Sequence, residues 1–212
     1  MDNNFVITFG RTIGSGGLDI AKALGEELGV KVYDKNLLEE VAKAHGLHPE
    51  MFVSRDERSS RNLKSILNFR SILRGTSNAM PNNVMTDEDM FKMQSDVMRS
   101  IAENESCIFV GRCSDYILRE HKSIFNVFVT APLGSRVKHV MARHGFTEDQ
   151  ALRHIRRIEA SRADYYNYYT FKKWGDSSSY DLCIDIEKVG GQENALEIIK
   201  LAATRAGLQL TK

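Results

Sequence analysis

Short apolar runs recur along the chain and are separated by segments with helical spacing. Four runs rich in β-branched and aromatic residues, together with a fifth segment that alternates polar and apolar residues, predict strands at residues 5–9, 30–33, 107–110, 124–130 and 180–186. The first run is short, β-prone and apolar except for Thr8, which is typical of a strand buried on both faces of a parallel sheet.

The segments between these runs predict helices. After the first run, Ile20, Ala21, Leu24 and Leu28 recur at the spacing of one helix face. Further helices are predicted at residues 36–44, 86–105, 135–144, from 147 onwards and at 195–206. Two of them begin at capping boxes, Thr86 with Asp89 and Thr147 with Gln150. The alternation of strands and helices predicts a doubly wound α/β fold.

The pattern is least regular between about residues 48 and 83. Residues 54–74 carry six basic and two acidic side chains with apolar residues interspersed. We expect a helical excursion from the sheet, followed by a polar loop near residues 75–83. This basic segment is either a flexible surface segment or one that covers a substrate.

A glycine-rich turn joins the first predicted strand to the first helix, with four glycines among residues 10–17. Glycine allows positive φ and a close approach of the backbone to a ligand. Successive N–H groups at the start of a helix then form a site for phosphate. The competing interpretation is a tight turn that binds nothing. The predicted phosphate-binding residues are Arg11, Gly14, Ser15, Gly16, Gly17 and Leu18.

This turn departs from the standard phosphate-binding loop. That pattern places a lysine and then a serine or threonine after the last loop glycine. Here Gly17 and Leu18 occupy those positions. Another cation must neutralise the phosphates, and Arg11 is the nearest candidate.

A dinucleotide-binding turn is the rival interpretation. Gly14-Ser-Gly16 is followed by a second strand that ends at Asp34, as in that fingerprint. The position of its third glycine is occupied by Asp19, which would repel a pyrophosphate unless it points away.

The bulk composition restricts the function classes. The 212 residues are 42% hydrophobic, enough for one sizeable core. The 29 basic and 28 acidic residues nearly balance, so no nucleic-acid partner is expected. We find no secretory signal and no apolar run of membrane-spanning length. The three cysteines lack close spacing, which favours reduced thiols in a cytoplasmic protein over a disulfide or metal role.

Five segments stand out in chain order: GRTIGSGGLDIAKAL, VYDKNLL, IFVGRCSDYIL, SRADYYNYYTFKKWGD and YDLCIDI. Together they resemble the cytidylate kinase-like family of P-loop proteins. They follow one another along nearly the whole chain, and residues 50–100 are the least informative part. The resemblance implies a nucleoside monophosphate kinase-like three-layer sandwich with a five-stranded parallel sheet. It also implies one domain over residues 1–212, with a helical excursion at about 48–105 and a lid at about 147–179.

The resemblance further implies an activity. Cytidylate kinases transfer the γ-phosphate of ATP to CMP or dCMP with Mg²⁺, so ATP and Mg²⁺ are the expected cofactors and CMP a possible acceptor. The chain has Gly17 where the family's loop lysine belongs and Cys113 where an aspartate belongs. Asp115, two residues on, is a candidate for the missing metal-side carboxylate. An oligomer is possible.

Phosphoryl transfer needs cations around the migrating group and two substrates held in line. Arginine suits this because its planar fork binds two phosphate oxygens. Arg112 ends the third strand, and we expect it to bind the acceptor phosphate; a surface salt bridge is the alternative. Asp34 either faces the acceptor or caps the next helix. Predicted lid arginines, which would otherwise form a solvated helix face, are Arg153, Arg156, Arg157 and Arg162, with Arg136 and Arg143 as weaker candidates.

An aromatic stretch follows these arginines. It could stack on a nucleobase, although such clusters more often pack in a core or an oligomer contact. Its members are Tyr165, Tyr166, Tyr168, Tyr169 and Trp174.

Three functional hypotheses follow, in decreasing order of support. The first is an ATP-dependent nucleoside monophosphate kinase. The second is a protein of the same fold that senses a nucleotide or phosphate without transferring it, which the missing loop lysine favours. The third is an NAD-dependent oxidoreductase.

Overall fold

The computed structural model describes residues 4–36 and 86–210. The basic segment 54–74, the polar loop at 75–83 and nearly all of the helix predicted at 36–44 lie outside these ranges. Of the excursion predicted at 48–105, the structure describes the part from residue 86 onwards.

The core of the fold is a five-stranded parallel sheet, as the sequence and the resemblance predicted. Its strands are β1 (Val6–Arg11), β2 (Lys31–Tyr33), β3 (Cys107–Val110), β4 (Ile124–Thr130) and β5 (Leu182–Asp185). They lie side by side in the order β2-β3-β1-β4-β5, and every neighbouring pair is parallel. The central strand, β1, is in register with β3 through Val6 and Cys107.

Helices connect the strands. They are α1 (Gly17–Leu28), α2 (Asp87–Asn104), α3 (Ser114–Ile117), α4 (Leu133–His144), α5 (Glu148–Thr170) and α6 (Gln192–Arg205), with a 3₁₀ turn at Ser177–Ser179. Both predicted capping boxes form: the side chain of Thr86 accepts from the Asp89 amide and that of Thr147 from the Gln150 amide. Helix α5 continues through the aromatic stretch to Thr170, which the sequence pattern did not resolve.

Alternate residues of the strands supply two cores on opposite faces of the sheet. On one face, Ile7 and Phe9 of β1 belong to a cluster with Leu24 of α1 and Ile199 of α6. On the other face, Val6 and Phe109 are clustered with side chains of α2, α3 and α5. Burying each such side chain is worth about 1.5–3 kcal/mol. The three-layer sandwich therefore follows from β-strands that are apolar on both faces.

The parallel arrangement decides where the site lies. Because all strands run in the same direction, the glycine-rich turn after β1, Asp34 after β2 and the Gly111-Arg112 turn after β3 emerge at one edge of the sheet. This is the edge at which open α/β sheets bind ligands. Within residues 4–36 and 86–210, no helix is long and apolar enough to cross a membrane.

Candidate functional site

The loop after β1 has the backbone conformation that its glycines predicted. Gly14 and Gly16 both have φ of 79°, in the left-handed region that glycine adopts without strain. Gly16 caps α1, and the buried Ser15 hydroxyl donates to the Thr12 carbonyl at 2.9 Å. The loop is therefore a defined turn at the start of a 12-residue helix.

Thr12 and Ser15 of this loop donate their amides to the carbonyls of Val129 and Thr12, but four other amides at the loop and the start of α1 donate to no described residue. Among the hydrogen bonds between described residues, none is donated by the backbone N–H of Gly14, Gly16, Gly17 or Leu18. These groups stand at the positive end of the α1 dipole, where an anion is stabilised. The loop can therefore supply backbone donors to a phosphate.

Helix α4 holds the loop from outside. Arg136 donates from Nε to the Ala131 carbonyl at 2.9 Å and from Nη1 to the Ile13 carbonyl at 3.4 Å, and it forms an ion pair with Glu159 of α5. The ring Nδ1 of His139 lies 3.1 Å from the Gly14 carbonyl oxygen. These contacts favour a supporting role for Arg136 and leave its predicted, weaker part in phosphate binding as a prediction.

The Arg11 side chain extends from the end of β1 past Gly17 and Gly111. A Cβ atom added to Gly17 would lie 2.8 Å from the Arg11 Cβ, and one added to Gly111 would lie 2.2 Å from Arg11 Nη1. Real Cβ atoms do not approach other atoms so closely. Glycine at both positions therefore makes room for the Arg11 side chain, which reaches the turn after β3.

Three arginines form the centre of the site, and we call Arg11, Arg112 and Arg162 the arginine cluster. Arg162 Nη1 of α5 donates to the Arg11 carbonyl at 2.8 Å. Burial, and then the charges of Arg162 and Arg112, lower the pKa of Arg11 to about 9, while Asp34 acts in the opposite direction. Burial also lowers the pKa of Arg162. Arg11 remains protonated at pH 7, so a bound anion would relieve the repulsion between these cations.

The turn that carries Arg112 is strained. Gly111, Arg112 and Cys113 have φ of 78°, 59° and 58°, three consecutive residues in the left-handed region. Each non-glycine residue in that region costs about 1–2 kcal/mol. The turn is held by the Ser114 amide, which donates to the Gly111 carbonyl at 3.2 Å, and by Gln94 of α2, whose Nε2 lies 3.4 Å from the Arg112 carbonyl.

The first residues after this turn connect it to α5. The Tyr166 hydroxyl donates to Asp115 Oδ2 at 2.7 Å, and burial raises the pKa of this carboxyl. Sequence reasoning placed Tyr166 in an aromatic stretch and gave no signal for this bond. In addition, Ser114 Oγ is a buried hydroxyl without a hydrogen-bond partner among the described residues.

These contacts bear on Asp115 as the predicted metal ligand. A carboxylate that accepts a tyrosine hydroxyl, in surroundings that favour its neutral form, is poorly suited to bind a cation directly. No cluster of three or more potential metal ligands occurs among the described side chains. Mg²⁺ in kinases is commonly held by one or two carboxylates together with the substrate phosphates, so such a cluster is not required. Metal binding by Asp115 stays a prediction.

The predicted lid arginines divide into two groups. Arg162 is partly buried against the loop. The other three arginines on α5, Arg153, Arg156 and Arg157, have exposed side chains, and so does Arg143 on α4. Arg162 follows the buried Ile155 by seven residues, which places both on one helix face. That spacing is the sequence signal that could have separated it from the others.

The aromatic residues of α5 are used mainly in packing. Tyr166 is buried, and the Tyr169 ring stacks on Phe91 of α2 with centroids 4.0 Å apart. Tyr168, 45% exposed, donates to Glu88 at 2.7 Å, and Trp174 contacts Phe128 edge to face. Tyr165 lies within 5.7 Å of the Arg112 guanidinium, measured to the ring centroid. The packing interpretation therefore accounts for the stretch better than base stacking does.

The fold is an α/β sandwich of the P-loop kinase class. The strand order separates it from the dinucleotide-binding fold, because β3 lies beside β1, whereas there β2 does. The chain belongs to the cytidylate kinase-like family, whose model matches residues 6–188.

Known proteins agree with this assignment. The chain is 25% identical to the cytidylate kinase of Methanopyrus kandleri (strain AV19) over 93% of its length and 92% of the relative. It is 30% identical to the cytidylate kinase of Methanosarcina barkeri (strain Fusaro), in a match of 113 residues that spans 52% of this chain and 60% of that protein.

Two solved structures share the fold. The chain superposes on an uncharacterized protein from Eubacterium ventriosum ATCC 27560 with a TM-score of 0.71 and 29% identity, over 95% of this chain and 99% of the other. A gluconokinase from Sinorhizobium meliloti 1021 gives a TM-score of 0.52 at 11% identity, over 97% of this chain and 95% of the gluconokinase. Family and fold together support a nucleotide-binding kinase.

Proposed function

We propose that the protein is an ATP-dependent kinase of the nucleoside monophosphate class, with a pyrimidine monophosphate such as CMP as the acceptor. The observation that carries the proposal is the arginine cluster beside a loop in which the amides of Gly14, Gly16 and Gly17 donate to no described residue. Three cations and a set of backbone donors at one sheet edge fit the phosphates of two nucleotides.

Each part of the site has a role in this proposal. The amides of Gly14, Gly16 and Gly17 bind phosphate oxygens of the donor, and the α1 dipole adds to that attraction. Arg112, at the end of β3, binds the acceptor phosphate. Arg162 stabilises charge on the migrating phosphoryl while its bond to the Arg11 carbonyl keeps it against the loop. Little covalent chemistry is required of the protein, because phosphoryl transfer depends on alignment and charge stabilisation.

Mg²⁺ enters this proposal with the nucleotide. The loop offers Leu18 where a hydroxyl ligand would stand, and Asp115 is engaged by Tyr166. We therefore assign no step to a metal held by the chain. Mg²⁺ would neutralise charge on the donor phosphates. Asp34 Oδ1 accepts from the Asn36 amide at 3.0 Å, a contact of the capping kind, so its place on the acceptor side stays one of the two alternatives that the sequence left open.

A second candidate is a nucleotide sensor of the same fold. The observation that favours it is Gly17 in the place of the loop lysine, because a site that lacks the standard phosphate cation could retain binding and lose turnover.

One assay separates the two. The full-length protein is incubated with ATP, Mg²⁺ and each of a panel of nucleoside monophosphates, and ADP formation is followed. We expect one monophosphate to raise the rate by about tenfold or more over ATP alone, and Arg205→Ala, on the last turn of α6, to behave like the wild type. ATP binding by calorimetry without ADP from any acceptor would favour the sensor. Absence of both binding and transfer would contradict both functions.

A further inference from the structure

Aligning the loop after β1 with the standard phosphate-binding pattern shows that two residue types are exchanged. In G-x-x-x-x-G-K-[ST], taking Gly16 as the second glycine puts the first glycine at position 11 and the lysine at position 17. The chain has an arginine at 11 and a glycine at 17. The glycine and the cation of the pattern have changed places.

The geometry shows why the two positions are linked. The Cβ that a side chain at 17 requires would lie 2.8 Å from the Arg11 Cβ, 3.4 Å from its Cγ and 3.1 Å from the Val129 Cβ. Side chains from positions 11 and 17 therefore start in the same space, and one of them must be glycine for the other to be long.

The path of Arg11 leads to a different place from that of a loop lysine. A lysine at 17 would rise from the first turn of α1. The Arg11 guanidinium instead ends beside Gly111, after β3, where a side chain on residue 111 would meet it. Arg112, Arg162 and Asp34 are the groups whose charges act on it there. Arg11 thus brings its cation to the border between the loop and the proposed acceptor side.

We infer that Arg11 and Gly17 are a reciprocal pair, in which Arg11 supplies from the end of β1 the cation for the nucleotide phosphates that a lysine at 17 would otherwise supply. The ligand is a phosphate group of the donor nucleotide, which the planar guanidinium can bind through two oxygens. This inference rests on the proposed kinase function.

The test exchanges the residues back. Arg11→Gly, Gly17→Lys and the double variant Arg11→Gly/Gly17→Lys are compared with the wild type and with Arg205→Ala. Glycine is chosen at 11 because alanine would keep the Cβ that blocks position 17. Affinity for ATP with Mg²⁺ is measured by calorimetry, turnover with the best acceptor by ADP formation, and folding by thermal unfolding without ligand.

We expect Arg11→Gly to weaken ATP affinity by about tenfold or more. Gly17→Lys alone should lower the unfolding temperature, because its stem collides with Arg11. The double variant should recover much of that temperature, and it should bind ATP at least about fivefold more tightly than Arg11→Gly.

The possible failures are distinguishable. A wild type that binds no ATP and forms no ADP would contradict the proposed function and the role of Arg11 with it. A functional wild type together with an Arg11→Gly variant of equal affinity would overturn the inference alone. The double variant could also unfold at a temperature no higher than Gly17→Lys and bind ATP no more tightly than Arg11→Gly. That result would show that residues 11 and 17 are not a reciprocal pair.

Discussion

Two turns at the same edge of the sheet achieve left-handed backbone in different ways. In the loop after β1 the left-handed residues are Gly14 and Gly16, whereas in the turn after β3 they include Arg112 and Cys113 as well as Gly111. The first turn adopts its shape at little cost because glycine has no Cβ. The second depends on neighbours to hold non-glycine residues in a conformation they disfavour. The proposed anion-binding amides thus lie on an unstrained turn, and the proposed acceptor arginine lies on a strained one.

The largest expected effect is a loss of stability when the first turn loses a glycine. In Gly14→Ala the new Cβ would lie 2.7 Å from the Arg136 carbonyl oxygen, at a φ of 79°. We expect the free energy of unfolding to fall by about 3 kcal/mol, measured by urea denaturation. The matched control is Gly134→Ala in α4, where nothing lies within 4 Å of the added Cβ. An equal effect of the two substitutions would contradict the special role of Gly14.

The next effect concerns function at the second turn. Arg112→Ala should fold normally but lower turnover of the acceptor by about tenfold or more, which corresponds to about 1.4 kcal/mol. The physical reason is the loss of a charge-assisted contact to the acceptor phosphate. Steady-state kinetics with varied acceptor would check it, with Arg205→Ala as the control. Unchanged turnover would remove Arg112 from the site.

A smaller effect distinguishes glycine from alanine at the same position. Arg112→Gly and Arg112→Ala both delete the guanidinium, but glycine tolerates the φ of 59°. We expect the glycine variant to be more stable by about 1 kcal/mol in urea denaturation. Phe171 offers the same comparison away from the site, because it has φ of 56° and is 91% exposed. If glycine and alanine are equally stable at position 112 while glycine is the more stable at position 171, the second turn is not strained.

The smallest expected effect concerns the bond between Tyr166 and Asp115, which links α5 to the second turn. Burial raises the pKa of Asp115 and the tyrosine hydroxyl lowers it, so Tyr166→Phe should raise that pKa further. An aspartate with a raised pKa in the folded state loses its stabilising contribution as the pH rises through that pKa. The variant should therefore be less stable than the wild type by about 1 kcal/mol at pH 7 and by less near pH 4.

Thermal unfolding at both pH values would measure this difference. In an Asp115→Asn background, which removes the titrating group, the effect of Tyr166→Phe should no longer depend on pH. A difference that is the same at pH 4 and pH 7 in the wild-type background would show that the carboxyl is not coupled to the tyrosine.

Local sequence determined most of the fold. The strands β3 and β4, both capping boxes and the left-handed glycines of the first turn agree with the pattern, because each depends on a few neighbouring side chains and on backbone preferences. The family resemblance added the sheet and its layers. The glycine-rich turn between β1 and α1, and its lack of a loop lysine, were also readable from residues 10–18 alone.

Only the tertiary structure decided which residues meet at the site. Of four arginines on one helix, only Arg162 is partly buried, and its Nη1 donates to the carbonyl of Arg11, 151 positions earlier in the chain. The Tyr166 hydroxyl donates to Asp115. The tertiary structure also placed left-handed backbone at Arg112 and Cys113, which no local preference favours. The physical reason is that such contacts, and the strain they support, depend on how the layers pack across the sheet, whereas sequence periodicity reports only which face of an element is buried.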